Sequence, residues 1–311
     1  MPLSDRPHSS HLRELAADQD DVVSREQLLA LGFSQGEIAA QVEAGRWRRP
    51  NEAVIVLHNG PLTRDQREWA ALLSAPAPTA LCGLTAARRG GLTGFDTDVV
   101  HVLVQRGARL LPLPGVAVKV HESRRFTAAD IFVLNMPFRV SIERALIDAA
   151  AWSRSPREAA RIVVAGVQQR LTTARSLLDE LERAGRVRHC RLMELLLADL
   201  LGGAQALSEV EFLRFCRRHG LPRPELNRRN DSTGRTRYLD AVFTLPDGRR
   251  VRVEIDGGVH LSLTQRWLDT SRDNDLVIAG RAALRFPSVA IYANDAGAVR
   301  QLRQALGLVS A

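Results

Sequence analysis

Residues 238–260 read YLDAVFTLPDGRRVRVEIDGGVH, two alternating runs about a turn, which is the pattern of a β-hairpin. In the first run Leu239, Ala241 and Phe243 face one way and Asp240, Val242 and Thr244 the other. In the second run Val251, Val253 and Ile255 share a face, leaving Arg250, Arg252, Glu254 and Asp256 opposite. The connector Pro246-Asp247-Gly248 suits a three-residue loop, with Pro setting φ for a type I turn and Gly taking the left-handed position. That loop sets Leu245 against Arg249 and Asp240 directly against Glu254, with side chains about 5 Å apart. Asp256 projects from the same face one step further on.

Opposed carboxylates repel and weaken a sheet unless something neutralises them. One solution is a divalent cation, because Mg²⁺ takes one or two carboxylates together with waters and substrate phosphates. The other is an arginine, Arg252 or one from elsewhere, in a solvated charge cluster. Both stay open on spacing alone.

The flanking sequence adds further elements. Ser208-Glu209-Val210-Glu211 opens a helix, Leu221-Pro222 follows it, and Val253-Glu254-Ile255-Asp256-Gly257 runs on to His260. Then come Arg272-Asp273-Asn274, a helix stopped by Gly280, a strand at Ala283–Phe286, and a last helix capped by Asn294 that runs through Val299, Leu302 and Leu306 to Gly307. From about Leu207 to Leu308 this resembles the nuclease-like domains related to very-short-patch-repair endonucleases, within the PD-(D/E)XK superfamily. The resemblance implies a restriction-endonuclease-like αβ sandwich in which Asp240 and Glu254 hold Mg²⁺ or Mn²⁺ for phosphodiester hydrolysis. It departs from the family at one position. The lysine expected two residues after the strand Glu is Asp256 here, and the only lysine in the chain is Lys119.

Three further residues complete the candidate catalytic set, each with a structural alternative. Glu211 stands three residues after Ser208, so it is either a capping-box acid or a second acid near the metal. His260 either serves as a general acid or base or bonds a backbone carbonyl. Arg272 shares a helix face with Asp269 and Asp273; it forms a surface ion pair or holds a scissile phosphate in place of the absent lysine. Arg252 is the other candidate for that charge, and Asp256 or His260 for orienting or deprotonating water.

At the other end of the chain, Ser24-Arg25-Glu26-Gln27 and Ser34-Gln35-Gly36-Glu37 are two capping boxes separated by Gly32. They predict two short helices about a tight turn, with a first helix at about His11–Ala17 and a strand at Ala53–Leu57. Together these make a winged helix-turn-helix over residues 8–60. This portion resembles the N-terminal domain of the AbiEi family of antitoxins, DNA-binding partners of nucleotidyltransferase toxins. The resemblance implies a recognition helix with Gln35 and Gln41 reading bases, and phosphate contacts from Arg25, Arg46, Arg48 and Arg49. The alternative is a winged helix used for protein interaction, with a toxin-like partner.

Residues 61–187 read as a mixed α/β middle domain without a catalytic constellation, and residues 188–311 as the nuclease-like domain. His101 and His121 on candidate strands are packed or surface histidines. The arginine-rich stretch Arg183–Arg191 is expected to join the domains as an amphipathic helix. The fold class is therefore multidomain, α+β with α/β elements.

Composition frames these readings. The chain has 311 residues, 45% of them apolar and 25% charged, as in globular proteins, with room for two or three cores. A net charge of +8 and a pI near 10.6 favour a polyanionic partner, although an arginine-rich coding bias produces the same excess. Cys82, Cys190 and Cys216 form no CxxC pair, which argues against a structural zinc site and fits a reducing cytoplasm. No signal-like or membrane-length apolar run is present, so membrane insertion is not expected.

Overall fold

A computed structural model describes residues 9–124, 126–132, 137–201, 209–230, 236–256 and 284–308. By packing, the chain falls into two compact units, Met1–Ala149 and Ala150–Ala311.

The first unit opens with α1 (Ser9–Asp18), β1 (Val22–Ser24), α2 (Arg25–Ala30), α3 (Gln35–Glu43) and β2 (Val54–Val56). Both expected capping boxes form. The Ser24 and Ser34 hydroxyls accept from the Gln27 and Glu37 amides, and the Gln27 and Glu37 side chains accept from the Ser24 and Ser34 amides. Between the helices Gly32 sits at φ +90°, a conformation that costs glycine nothing. β1 and β2 pair antiparallel, and an isolated bridge from Arg48 to Val56 adds a third segment. Leu12, Val23, Leu28, Phe33, Ile38, Trp47 and Ile55 form one small core beneath these elements.

The same unit continues with α4 (Arg64–Leu73), β3 (Thr79–Leu81), α5 (Gly83–Arg89), β4 (Val100–Gln105), β5 (Val118–Ser123), β6 (Ile131–Phe132), β7 (Arg139–Val140) and α6 (Ile142–Trp152). β3 to β7 make a mixed sheet in the order β5-β4-β3-β7-β6. The strands β3 and β7 were not expected, being too short for an alternating pattern to register. The Asn51 amide nitrogen bonds Ser74 Oγ at 2.8 Å and the Pro112 carbonyl at 3.2 Å, tying the first segment to the second.

The second unit carries α7 (Pro156–Gln168), α8 (Ala174–Ala184), α9 (Cys190–Leu200), α10 (Glu209–Arg218), β8 (Glu225–Asn230), β9 (Thr236–Thr244), β10 (Arg250–Asp256), β11 (Leu284–Pro287), α11 (Ser288–Tyr292) and α12 (Ala296–Ala305). Its sheet runs β11-β10-β9-β8, antiparallel except for the parallel β10–β11 pair. Ala160 and Val164 of α7 and Leu192 and Leu196 of α9 share a core with Phe212, Phe215, Phe243, Val253 and Ile255. Helices α7 and α9 thus pack on the same core as the sheet.

Two local expectations are corrected. The stretch 183–191 is not one helix. Gly185 at φ +72° closes α8, His189 sits at φ +61°, Arg188 donates to the Arg154 carbonyl, and α9 starts only at Cys190. The N-cap of α12 is Asp295, whose carboxylate accepts from the Ala298 amide at 2.9 Å; Asn294 instead takes a left-handed turn at φ +50°. The charged Asp295 is also the better partner for the positive end of the helix.

Candidate functional site

The hairpin forms in the expected register. Leu245 N–H donates to the Arg249 carbonyl at 2.8 Å, Gly248 N–H donates to the Leu245 carbonyl at 2.9 Å, and Gly248 takes φ +82°. Asp240 pairs with Glu254 across β9–β10. One face of the hairpin, Leu239, Ala241, Phe243, Val253 and Ile255, is buried against Phe212 and Phe215 of α10. This apolar face fixes the register, because a slip by one residue would bury the charges.

On the opposite face the two carboxylates share one cation. Arg252 Nη2 lies 3.0 Å from Asp240 Oδ2 and 3.6 Å from Glu254 Oε1. Arg285 Nε donates to Glu254 Oε2 at 2.8 Å, placed by the parallel pairing of Glu254 with Arg285. Asp240 is buried, with 5% of its surface exposed, whereas Arg252 and Arg285 side chains are 38% and 80% exposed. Arginine thus neutralises the pair here, one of the two solutions open from the sequence. Among the described residues no three His, Cys, Asp or Glu side chains group to hold a metal.

The two carboxylates nevertheless fit a divalent cation in one respect. A single cationic nitrogen already sits within 4 Å of both, standing in for the charge that such an ion would bring. Two carboxylates completed by waters and phosphate oxygens also match the needs of Mg²⁺.

The remaining catalytic candidates are distributed as follows. Glu211, in the first turn of α10, accepts from the Tyr292 hydroxyl at 3.2 Å and pairs with Arg191 at 3.4 Å. Ser208, its proposed capping partner, lies outside the described residues. Asp256 ends β10 with its side chain outside them, and His260 and Arg272 lie outside them altogether. Arg285, Tyr292 and Arg191 were not anticipated as partners. For Arg285 the signal was present, since Leu284-Arg285-Phe286 alternates and puts the guanidinium on the polar face of β11.

In the first unit, α3 exposes Gln35, Gly36, Ala39, Ala40 and Glu43 to solvent. Gln41 is half-buried and its side-chain Oε1 accepts from Arg46 Nε at 2.6 Å. Arg46, Arg48 and Arg49 are exposed; Arg48 and Arg49 reach only the Gly60 and Asn51 carbonyls, at 3.5 and 3.3 Å. Arg25 is half-buried at the start of α2.

The histidines His101 and His121 touch. His101 Nδ1 and His121 Nε2 are 3.0 Å apart, and the ring centroids are 5.2 Å apart. That separation is close to the nitrogen contact plus two ring radii, so the rings meet edge to edge through one shared proton. Burial, then the Lys119 charge, push His101 down to about 4. Burial, then the charges of His101 and Lys119, push His121 down to about 3. Both are neutral at pH 7. Burial likewise raises Cys82 and takes Cys216 up to about 12, so neither is a thiolate nucleophile.

No protein-family model and no curated protein matches the chain. No helix among the described residues is long and apolar enough to cross a membrane.

Proposed function

We propose that the protein binds DNA and hydrolyses its phosphodiester bonds at the Asp240–Glu254 pair, with Mg²⁺ or Mn²⁺ held by those two carboxylates. The observation that carries this reading is the opposed acid pair on one face of a sheet whose other face is core. Proteins seldom place like charges across a rung without a use for a cation there. When bound, a divalent ion supplies a nucleophile near neutral pH and offsets charge on the scissile phosphate. The chain's own groups do the rest. The register of the hairpin fixes the spacing of the two acids. Arg252, and Arg272 by its place in the sequence, supply the positive charge that a lysine gives in the resembling family. Asp256 or His260 orients or deprotonates water, and Tyr292 and Arg191 hold the Glu211 carboxylate. Residues 8–60 serve as a winged helix-turn-helix, with α3 as the reading helix and Arg25, Arg46, Arg48 and Arg49 as phosphate contacts.

A second reading is a non-catalytic regulator of antitoxin type, whose C-terminal domain only binds DNA or a toxin-like protein. One observation favours it: Arg252 and Arg285 already balance both carboxylates without a metal.

Incubating supercoiled plasmid and single- and double-stranded oligonucleotides with purified protein, with and without Mg²⁺ or Mn²⁺, separates the two. Metal-dependent cutting that falls at least about 100-fold in Asp240→Asn and Glu254→Gln establishes the hydrolase, a loss of the size expected for removing a key charge-stabilising group. DNA binding without cutting on any substrate establishes the regulator.

A further inference from the structure

We propose that a basic groove between the end of α10 and α12 is a second nucleic-acid contact, which holds the phosphate backbone away from the acidic pair. This rests on the DNA-binding reading above. The groove encloses about 310 Å³ and is lined by His219, Asn294, Ala296, Val299, Arg300 and Arg303, none of them acidic. Asp295 lies between two of these residues in sequence, but its carboxylate is engaged at the N-terminus of α12.

Arg303 in the lining and Arg218 beside it are held by neutral partners, as Arg48 and Arg49 are in the first unit. Arg218 Nη1 donates to Asn294 Oδ1 at 3.0 Å. Arg303 donates to two carbonyls, those of His219 at 3.1 Å and Leu308 at 3.4 Å. His219 Nε2 lies 3.1 Å from the same Asn294 Oδ1, so that nitrogen carries the proton, and its ring packs on Phe215 with centroids 4.7 Å apart. Every one of these acceptors is a neutral oxygen. The guanidinium groups are therefore held in place without being neutralised, and among the described residues neither Arg218 nor Arg303 has a carboxylate partner. Arg300, one helical turn before Arg303, is exposed and likewise forms no ion pair with a described residue. Elsewhere in the molecule Arg88, Arg89, Arg144, Arg252 and Arg285 are all spent on carboxylates.

Uncompensated cations along the α12 wall of an open groove, with Arg218 beside it through its bond to Asn294, suit an extended polyanion better than a single small anion. Arg218 and Arg303 are oriented by carbonyl oxygens, which lowers the ordering cost when a phosphate arrives. Arg300 adds a free charge on the same helix face as Arg303. Such contacts carry no sequence information; they add affinity and orient the duplex.

The test is binding of a fluorescent 20-base-pair duplex to the full-length protein in EDTA over a range of salt concentrations. Each phosphate contact contributes about 0.9 to the slope of log K against log salt. Relative to wild type, the Arg218→Gln/Arg300→Gln double variant should lower that slope by about 1.8 and bind more weakly at every salt concentration. Its melting temperature, unchanged, would show that the fold is intact. A slope and affinity equal to wild type, in a protein that still responds to Arg46→Gln/Arg48→Gln, overturn the groove alone. No binding by wild type at low salt overturns the DNA-binding reading and the groove with it.

Discussion

Two clusters in this molecule contain two acids and two arginines each, and they behave as opposites. In the first unit Glu68 is 2% exposed and is gripped by Arg88 and Arg89, while Asp65 takes a second nitrogen of Arg89 at 2.7 Å. Both acids lie one turn apart on α4, both arginines are adjacent on α5, and the arginine side chains are only 27% and 20% exposed. In the second unit Asp240 and Glu254 face each other from neighbouring strands; their arginines are more exposed, Arg252 at 38% and Arg285 at 80%. Among the described residues, similar sets of charges thus make a covered pin in one place and a more exposed cluster in the other. The difference between the two clusters is how far the counter-charge is covered.

The sharpest way to break this contrast is Glu68→Ala. It leaves two partly buried guanidinium groups with Asp65 as their one remaining acid in the cluster, and breaking a buried pair by removing one partner costs about 3–5 kcal/mol. Urea unfolding should show that loss, and a change below about 1 kcal/mol would mean that the pin is no pin. A smaller effect is expected for Arg252→Ala, which removes a partly exposed partner and leaves two acids face to face. About 1 kcal/mol of stability should be lost without divalent metal. Mg²⁺ should then raise the melting temperature of this variant more than that of wild type, since a ligand that binds only the folded state stabilises it by mass action. Equal, negligible shifts in both proteins would remove the metal from the proposal.

A further effect, confined to acid pH, concerns the histidine pair, which belongs with the fixed clusters. In the unfolded chain both imidazoles take up protons near pH 6.5. In the folded chain His101 does so only near 4 and His121 near 3. The unfolded state therefore binds more protons as pH falls through this window, and stability declines there while being unaffected above about pH 6.5. His121→Asn should flatten the fall in melting temperature between pH 6.5 and 4; an unaltered profile would assign the acid response to other groups.

Where local chemistry decides geometry, the sequence was readable. The turn Pro246-Asp247-Gly248 and the alternation on both sides gave the hairpin register, and with it the meeting of Asp240 and Glu254. The two serine capping boxes gave α2 and α3. Legibility ended where partners come from far along the chain. Arg285 stands 31 residues from Glu254 and reaches it only through a parallel strand pair. Tyr292 and Arg191 approach Glu211 from two other helices. β3 and β7, at three and two residues, are too short to carry a period. The start of α9 was hidden because Arg183–Arg191 looks continuous in charge, whereas Gly185 and His189 break it in the backbone. Charge compensation was the least legible property, since it depends on which oxygen each arginine finds.

The loop from Leu245 to Arg249 lies five residues from Asp240, or about 16 Å at the rise of a strand. It nonetheless acts as a ruler for the acidic pair. Its length, rather than its composition, is what the site inherits. Replacing Pro246 or Asp247 would leave Asp240 opposite Glu254. Adding one residue would bring Val253 opposite Asp240, or expel the apolar face, because each single step turns a strand over. A surface loop that touches neither carboxylate would then be intolerant of insertion, because its length sets which residue faces Asp240.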